Sequence, residues 1–303
     1  MTGKNFSLPG KTLVIGAESF LGKQMLKAYQ VFYPGTLGTH YKSLNPRLCI
    51  DLLRPNLSRL ELTSGEYTHA FIAAANTKLA LCEEEKNMPF RRNVEGVLEL
   101  VKQLVALNIQ PILFSSDYVF DGVTGEYTEE SATCPVNEYG RQKEEMERGI
   151  RKICGDNYLL LRCSKVFGLE LGDGTLVDQI VSPLIRNEPV KAAYDQIFSP
   201  IYIQDVVDAV ICLQALSAKG LFNLCGKEVW SRLDLAKTIA KTLLIDEKLV
   251  EEISLSDLKR PYKLPKRTNM NCNRFYTYTG MQLTPLSSCI ESLKKYALTT
   301  RFR

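Results

Sequence analysis

Short apolar strands alternate with amphipathic helices, a glycine turn follows the first strand at once, and the rhythm loosens beyond Gly168. These three observations predict an α/β protein: a doubly wound, mostly parallel sheet followed by a smaller C-terminal domain. The chain has 303 residues, which at about 150 per domain gives about two domains. The apolar run 12–15 leads straight into Gly16. Phe20, Leu21, Met25, Leu26 and Tyr29 then fall near helical spacing. Short strands are expected at 36–40 and 48–51, and a stronger one at 70–75. Residues 94–107 read as a helix with Val94, Val97, Leu98, Val101, Leu104 and Val105 on one face. A strand at 111–114, a helix at 139–153 and a strand at 158–161 complete the series. Strands separated by helices need crossover connections, so helices cover both faces of the sheet.

Further along, helices are expected at 176–185, 205–216, 231–244 (with Ser231 as N-cap) and 286–298, with a short strand at 221–224. The basic segment 259–274 reads as a solvated loop, with an anion or partner contact as the alternative.

Composition excludes several classes. Hydrophobic residues at 45% and charged residues at 24% are globular values and argue against disorder. The net charge of +4 is too small to point to nucleic acid or a membrane surface. The polar start MTGKNFSLPGK lacks the apolar stretch of a signal peptide, and no run reaches the roughly 18 apolar residues of a spanning helix. Nine cysteines without a C-x-x-C pair read as reduced thiols of a cytoplasmic protein. Two histidines, His40 and His69, make a His-rich metal site hard to build, and no metal is expected.

Gly16, Ser19 and Gly22 form G-x-x-S-x-x-G between the first strand and the first helix. A glycine lets the chain turn tightly there, and the helix N-terminal N–H groups face an anion such as a pyrophosphate. A plain strand-to-helix turn is the alternative. Ser19 stands where a glycine is expected, with a hydroxyl able to donate to a phosphate, and Glu18 adds a nearby negative charge. The window that usually supplies an acid to the NAD ribose, 36–42, holds none and carries His40 and Lys42. That favours NADP over NAD as cofactor, with Lys42 as a solvated loop residue the alternative.

Tyr139 and Lys143 are four apart, hence on one helix face. An ammonium beside a phenol favours phenolate and is expected to lower its pKa. Such a tyrosine can exchange a proton with an alcohol/carbonyl pair while hydride moves to or from a nicotinamide. Ser116 ends a strand of the same sheet, at the carboxyl edge where ligands bind in open α/β folds, and can hold the reacting oxygen.

These residues resemble the extended short-chain dehydrogenase/reductases, and among them the dTDP-4-dehydrorhamnose reductase family. Phe114-Ser-Ser-Asp-Tyr-Val-Phe-Asp-Gly122 is similar to that family's S-T-D-Y-V-F-D-G. Tyr127-Thr-Glu-Glu and the later Pro135-Val-Asn-Glu-Tyr139-Gly-Arg-Gln-Lys143-Glu144 resemble Y-x-E and P-x-N-x-Y-G-x-x-K-x-x-x-E. Leu161-Arg-Cys-Ser-Lys-Val-Phe-Gly168 resembles L-R-T-S-W-V-Y-G; Asp195-Gln196, Ser199-Pro200 and Asp205 resemble D-Q-x-G-x-P-T and D-L-A; Ala73 to Thr77 and Asn93 resemble A-A-x-T and V-N-A. The likeness covers roughly 11–245.

The resemblance implies a Rossmann-type dinucleotide-binding domain at 1–168, to which the 205–216 helix returns, and a substrate domain at 169–303. It implies Ser116, Tyr139 and Lys143 as the catalytic set, with Tyr139 and Lys143 also meeting the cofactor and Lys143 holding the nicotinamide ribose. Ser19, Phe20 and Leu21 would line the pyrophosphate beside Gly16 and Gly22. Asp51 and Leu52 would meet the adenine, and Ala75, Asn76 and Thr77 the cofactor's inner half. Ser116, Asp117 and, in place of the family's tryptophan, Lys165 would face the sugar. The loop 121–136 would close over it. The late A-x-R-P segment has its nearest counterpart in Leu258-Lys-Arg-Pro261.

The implied activity is NAD(P)H-dependent reduction of a nucleotide-linked 4-keto-6-deoxysugar in a cytoplasmic protein, with a homodimer as a compatible assembly. One alternative is a non-catalytic regulatory subunit, since the methionine adenosyltransferase beta subunit resembles the same family; Ser19 and Lys165 favour it. The other is a sugar-nucleotide epimerase or dehydratase of the same superfamily.

Overall fold

The computed structural model describes residues 7–41, 45–63 and 65–296. By internal contacts the chain divides into two units. The first comprises Met1–Val119, Thr133–Arg162 and Val207–Phe222; the second comprises Phe120–Ala132, Cys163–Val206 and Asn223–Arg303.

A six-stranded sheet organises the first unit. Its elements are β1 (Lys11–Ile15), α1 (Phe20–Phe32), β2 (Gly38–Thr39), β3 (Tyr67–Ile72), α2 (Val97–Ala106), β4 (Gln110–Ser116), α3 (Glu138–Cys154), β5 (Leu159–Cys163), α4 (Ile203–Ala215) and β6 (Gly220–Leu224). The strand order is β6-β5-β4-β3-β1-β2, and β1 pairs in parallel with β2 and with β3, as β3 does with β4. Order therefore reverses at β1, where the chain first goes one way to β2 and then returns to β3. Open parallel sheets bind ligands at such a switch point, outside the carboxyl ends of the strands.

The strands are short and mostly apolar, as strands covered on both faces are. Leu13, Ile15, Ala70, Leu113 and Leu160 pack with Leu100, Leu104, Met146 and Ile150 of α2 and α3 in one core. The helix expected at 205–216 is α4, which carries Gln214 into this unit. The Gln214 amide donates to Thr12 Oγ1 at 2.7 Å and accepts from Tyr29 Oη at 2.8 Å. All three groups are buried, so each needs the partner it has.

Several expectations shift. The segment 48–51 is no strand; Cys49 makes a single bridge to His40. The strand expected at 70–75 is β3, ending at Ile72, where its parallel partner β1 also ends. Ala73 to Asn76 are thereby freed as loop at the carboxyl edge. A π-helical turn, Arg91–Gly96, precedes α2.

In the second unit Phe167, Ile180, Leu184, Phe198, Leu235 and Ile239 lie in a separate core. The strands Val190–Ala193 and Val250–Ile253 pair in parallel. Ser231 caps Arg232–Thr242, its Oγ accepting from Asp234 N at 2.9 Å. The basic segment is only partly a solvated loop. Arg260, Lys263, Lys266 and Arg267 are exposed, whereas Thr268, Asn269, Met270 and Cys272 are buried. Its backbone pairs inward, with Arg267 N donating to Gly122 O at 2.9 Å, Thr268 N to Ile197 O at 2.8 Å and Asn271 N to Tyr127 O at 2.9 Å. The helix expected at 286–298 runs Leu286–Glu291, breaks at a turn and resumes over 294–296; 297–298 lie outside the described residues. Among the described residues no helix is long and apolar enough to cross a membrane.

Candidate active site

The turn after β1 is shaped by close approach. Gly16 has φ +84°, and a Cβ there would lie 2.8 Å from Ala74 N. A Cβ at Gly22 would fall on the Gly16 carbonyl oxygen. Only glycine fits at either position. Ser19 is the N-cap of α1: its Oγ accepts from Gly22 N at 3.0 Å and donates to Gly16 O at 2.9 Å. The hydroxyl expected to donate to a phosphate thus gives its proton to Gly16 here. The first-turn N–H groups of Phe20 and Leu21 have no acceptor within the helix. They are the donors that this turn offers to an anion.

Beside the turn is a cavity of about 400 Å³. Of the expected cofactor residues, Gly16, Ser19, His40, Asp51, Leu52, Ala75, Asn76 and Thr77 line it; Phe20, Leu21, Gly22, Tyr139 and Lys143 do not. Lys42 lies outside the described residues. Tyr41 and Arg92 complete the wall at its β2 end. Glu18 reaches into the same end: Oε1 accepts from Tyr41 N at 3.1 Å and Oε2 lies 3.7 Å from His40 Nδ1. The turn before α1 thus brings an acid to the cavity end that 36–42 lines without one. Against it stands Arg92, whose guanidinium donates to Tyr41 Oη at 3.2 Å and lies 5.3 Å from the ring centroid. Sequence reasoning missed Arg92, since it is distant in the chain and sits in the π turn.

That turn also carries Asn93, noted in the sequence only as part of a motif. Asn93 Oδ1 accepts from Asn76 N at 2.7 Å, and its Nδ2 donates to Asn76 O and to Gln142 Oε1, both at 2.9 Å. One buried amide thereby joins the cavity wall to α3. The residues present fit a dinucleotide: a glycine turn with no room for a side chain, two helix N–H donors and a lined cavity at the switch point.

Ser116 ends β4, and Tyr139 and Lys143 share one face of α3, whose N-cap Asn137 accepts from Gly140 N at 2.9 Å. The Ser116 hydroxyl stands close enough to the Tyr139 phenol to favour its ionised form. Ser116 Oγ also meets Asp117 Oδ1 at 3.0 Å and Tyr118 N at 3.2 Å. Lys143 Nζ lies 5.9 Å from the Tyr139 ring centroid and donates to Phe114 O at 2.9 Å. The three groups expected to act together are together.

Their electrostatics differ from expectation. Burial, and then the Asp117 carboxylate, push the Tyr139 phenol above its ordinary range; the Ser116 hydroxyl opposes them without prevailing. The expected lowering by Lys143 is overridden because desolvation penalises phenolate and Asp117 repels it. Tyr139 therefore keeps its proton to a higher pH than an ordinary tyrosine.

Asp117 adjoins Ser116, as expected of a sugar-facing pair. Lys165 belongs to the second unit, where its ammonium lies 5.4 Å from the Phe198 ring centroid. The segment expected to act as a lid is cross-braced in the part that belongs to the second unit. Phe120 stacks on Tyr127 with centroids 4.2 Å apart and planes 5° apart. The Tyr127 phenol donates to Asp121 and accepts from Val123 N and Thr124 N. Asn223 Nδ2 donates to Tyr127 O at 2.9 Å, and Asn269 Nδ2 to Glu126 Oε1 at 2.5 Å.

A dinucleotide cradle at the switch point of a parallel sheet, with Ser, Tyr and Lys converging beside it, is the architecture of the extended short-chain dehydrogenase/reductases. Within that class the chain belongs to the RmlD substrate binding domain family, whose model matches residues 10–297. It is 25% identical to methionine adenosyltransferase 2 subunit beta of Mus musculus, over 97% of this chain and 90% of that one. It is also 25% identical to dTDP-4-dehydrorhamnose reductase of Aggregatibacter actinomycetemcomitans, over 82% and 90%. Among solved structures, dTDP-4-dehydrorhamnose reductase from Bacillus anthracis in complex with NADP superposes with a TM-score of 0.82 at 21% identity, over 94% of this chain and 98% of that one.

Proposed function

We propose that the protein reduces a nucleotide-linked 4-keto-6-deoxysugar with NAD(P)H. The observation that carries this reading is the convergence of Ser116 and Lys143 on a phenol held in its neutral form. Reducing a ketone creates an alkoxide that needs a proton, and a neutral tyrosine is the acid that gives it. A bound nicotinamide dinucleotide would supply the hydride. Gly16, Phe20, Leu21, Asp51, Leu52 and Ala75 to Thr77 would hold it, with Lys143 toward its nicotinamide end. Ser116 orients the carbonyl oxygen toward Tyr139, and Asp117 bonds a sugar hydroxyl. NADP is the favoured cofactor: Arg92 and His40 attract a 2′-phosphate, and Glu18 weakens rather than reverses that attraction. NADPH and NADH oxidation across a panel of nucleotide-linked 4-keto sugars tests the reading. Turnover of at least one supports it, and no turnover with any removes it.

The regulatory-subunit reading has its own support in the match to methionine adenosyltransferase 2 subunit beta over nearly the full chain. Binding of NADPH together with a change in the activity of a methionine adenosyltransferase catalytic subunit, and no sugar turnover, is the outcome that would select it.

A further inference from the structure

Two thiols that the proposed reaction does not use lie side by side in the second unit. Cys225 follows β6, and Cys272 precedes the helix Asn273–Thr279. Their sulfurs are 2.8 Å apart, and the residues are 1% and 5% exposed. A disulfide bond is about 2.05 Å long, so bonding needs a shift of about 0.8 Å. The flanking chain already holds the pair in register. Cys225 N donates to Cys272 Sγ at 3.0 Å, the Cys225 thiol donates to Met270 O at 3.1 Å, and Asn223 Nδ2 donates to Asn271 O at 3.2 Å. Both thiols line a cavity of about 470 Å³, together with Lys227, Asn271 and Tyr276. The cavity thus reaches both residues although neither is on the open surface.

We propose that Cys225 and Cys272 form a reversible disulfide, made by exchange with a low-molecular-weight disulfide admitted to this cavity. The order of attack follows from the contacts. Cys272 sulfur accepts the Cys225 main-chain N–H, which holds it facing its partner. The bond to Cys272, and then burial, push the Cys225 thiol well above its ordinary range, so it keeps its proton longer. Cys272 attacks one sulfur of the small disulfide, forming a mixed disulfide and releasing one small thiol, which takes the proton Cys272 lost. Cys225 then attacks the Cys272 sulfur, and the second small thiol leaves with the Cys225 proton. Two protein thiols are oxidised, and one small disulfide is reduced to two thiols. The new bond closes a span of 47 positions and anchors the segment that pairs with Gly122, Tyr127 and Ile197.

The test uses the folded full-length chain, equilibrated in glutathione buffers from reduced to oxidised, then quenched, unfolded, alkylated and peptide-mapped. The expected result is a peptide linked through Cys225 and Cys272 that rises with oxidised glutathione and disappears with dithiothreitol. The unfolding midpoint of the oxidised wild type rises by about 4 °C or more. Cys225→Ser and Cys272→Ser each lose both the link and the shift, while Cys163→Ser keeps them. Full alkylation of both thiols after oxidised glutathione overturns the proposal. So does a glutathione adduct on Cys272 that never resolves, or a link from either thiol to Cys163. Should the serine variants fail to fold, the wild-type map alone decides.

Discussion

The Ser116–Tyr139–Lys143 corner and the β2 end of the cavity are built by opposite means. The corner draws two of its groups from one helix, four residues apart, and the third from the end of the strand beside it. It is buried away from water, so desolvation sets the phenol's proton affinity. The β2 end gathers Glu18, His40, Tyr41 and Arg92 from three separate segments, each at least partly open to solvent. There, opposing charges about 4 Å apart exchange only about 1 kcal/mol in water. The corner is suited to chemistry and tolerates little change. The open end sets a preference that single substitutions can tilt.

The largest break to expect is at the corner. Tyr139→Phe should lower kcat about 100-fold to 10,000-fold in an NAD(P)H oxidation assay. Cofactor affinity, read by fluorescence titration, should stay nearly unchanged. A near-normal kcat would show that the phenol is not the acid.

A pH–rate profile sharpens the same point. Reduction needs the protonated phenol, and burial with Asp117 raises its pKa, so the active form persists as pH rises. The reductive rate should show no Tyr139 limb below about pH 10, the ordinary tyrosine value. A descending limb near neutrality that vanishes in Tyr139→Phe would mean a lowered phenol instead.

At the open end the effects should be smaller and opposite in sign. Glu18→Gln should improve NADPH over NADH by about fivefold in the ratio of Kd values, the equivalent of about 1 kcal/mol. Arg92→Ala should lower that ratio by a similar factor. Equal ratios in all three proteins would remove both residues from cofactor choice.

The smallest change is at Ser19. Ser19→Ala should destabilise the protein by about 1 kcal/mol through loss of the α1 cap, measured by urea unfolding. Cofactor affinity should barely move, because the hydroxyl is committed to Gly16 and Gly22. A tenfold loss of affinity without loss of stability would restore the phosphate role.

What could be read in advance was what local periodicity carries. The parallel sheet, its helices and the Tyr139–Lys143 face follow from apolar spacing and from residues four apart on a helix. What was not legible depended on hydrogen-bond partners, near or far in the chain, that no apolar period reports. Ser19 looked like a phosphate donor until its two backbone partners were visible. The 36–42 window looked acid-free because Glu18 arrives from the preceding turn. Asn93 joins Asn76 to Gln142 across the π turn, a geometry that no apolar period announces. Segment 265–271 looked like a solvated loop because its residues pair singly with Gly122, Tyr127 and Ile197, without a strand's alternation.

The last strand of the central sheet comes from residues 220–224, after the first two segments of the second unit's chain. A nascent chain emerging in order therefore exposes β5 as a bare edge until β6 has been synthesised. Tyr29 and Thr12, among the earliest residues made, wait about 200 positions for Gln214. Truncation near residue 168 should accordingly yield an aggregation-prone fragment with an unfilled edge, not a free-standing nucleotide-binding module.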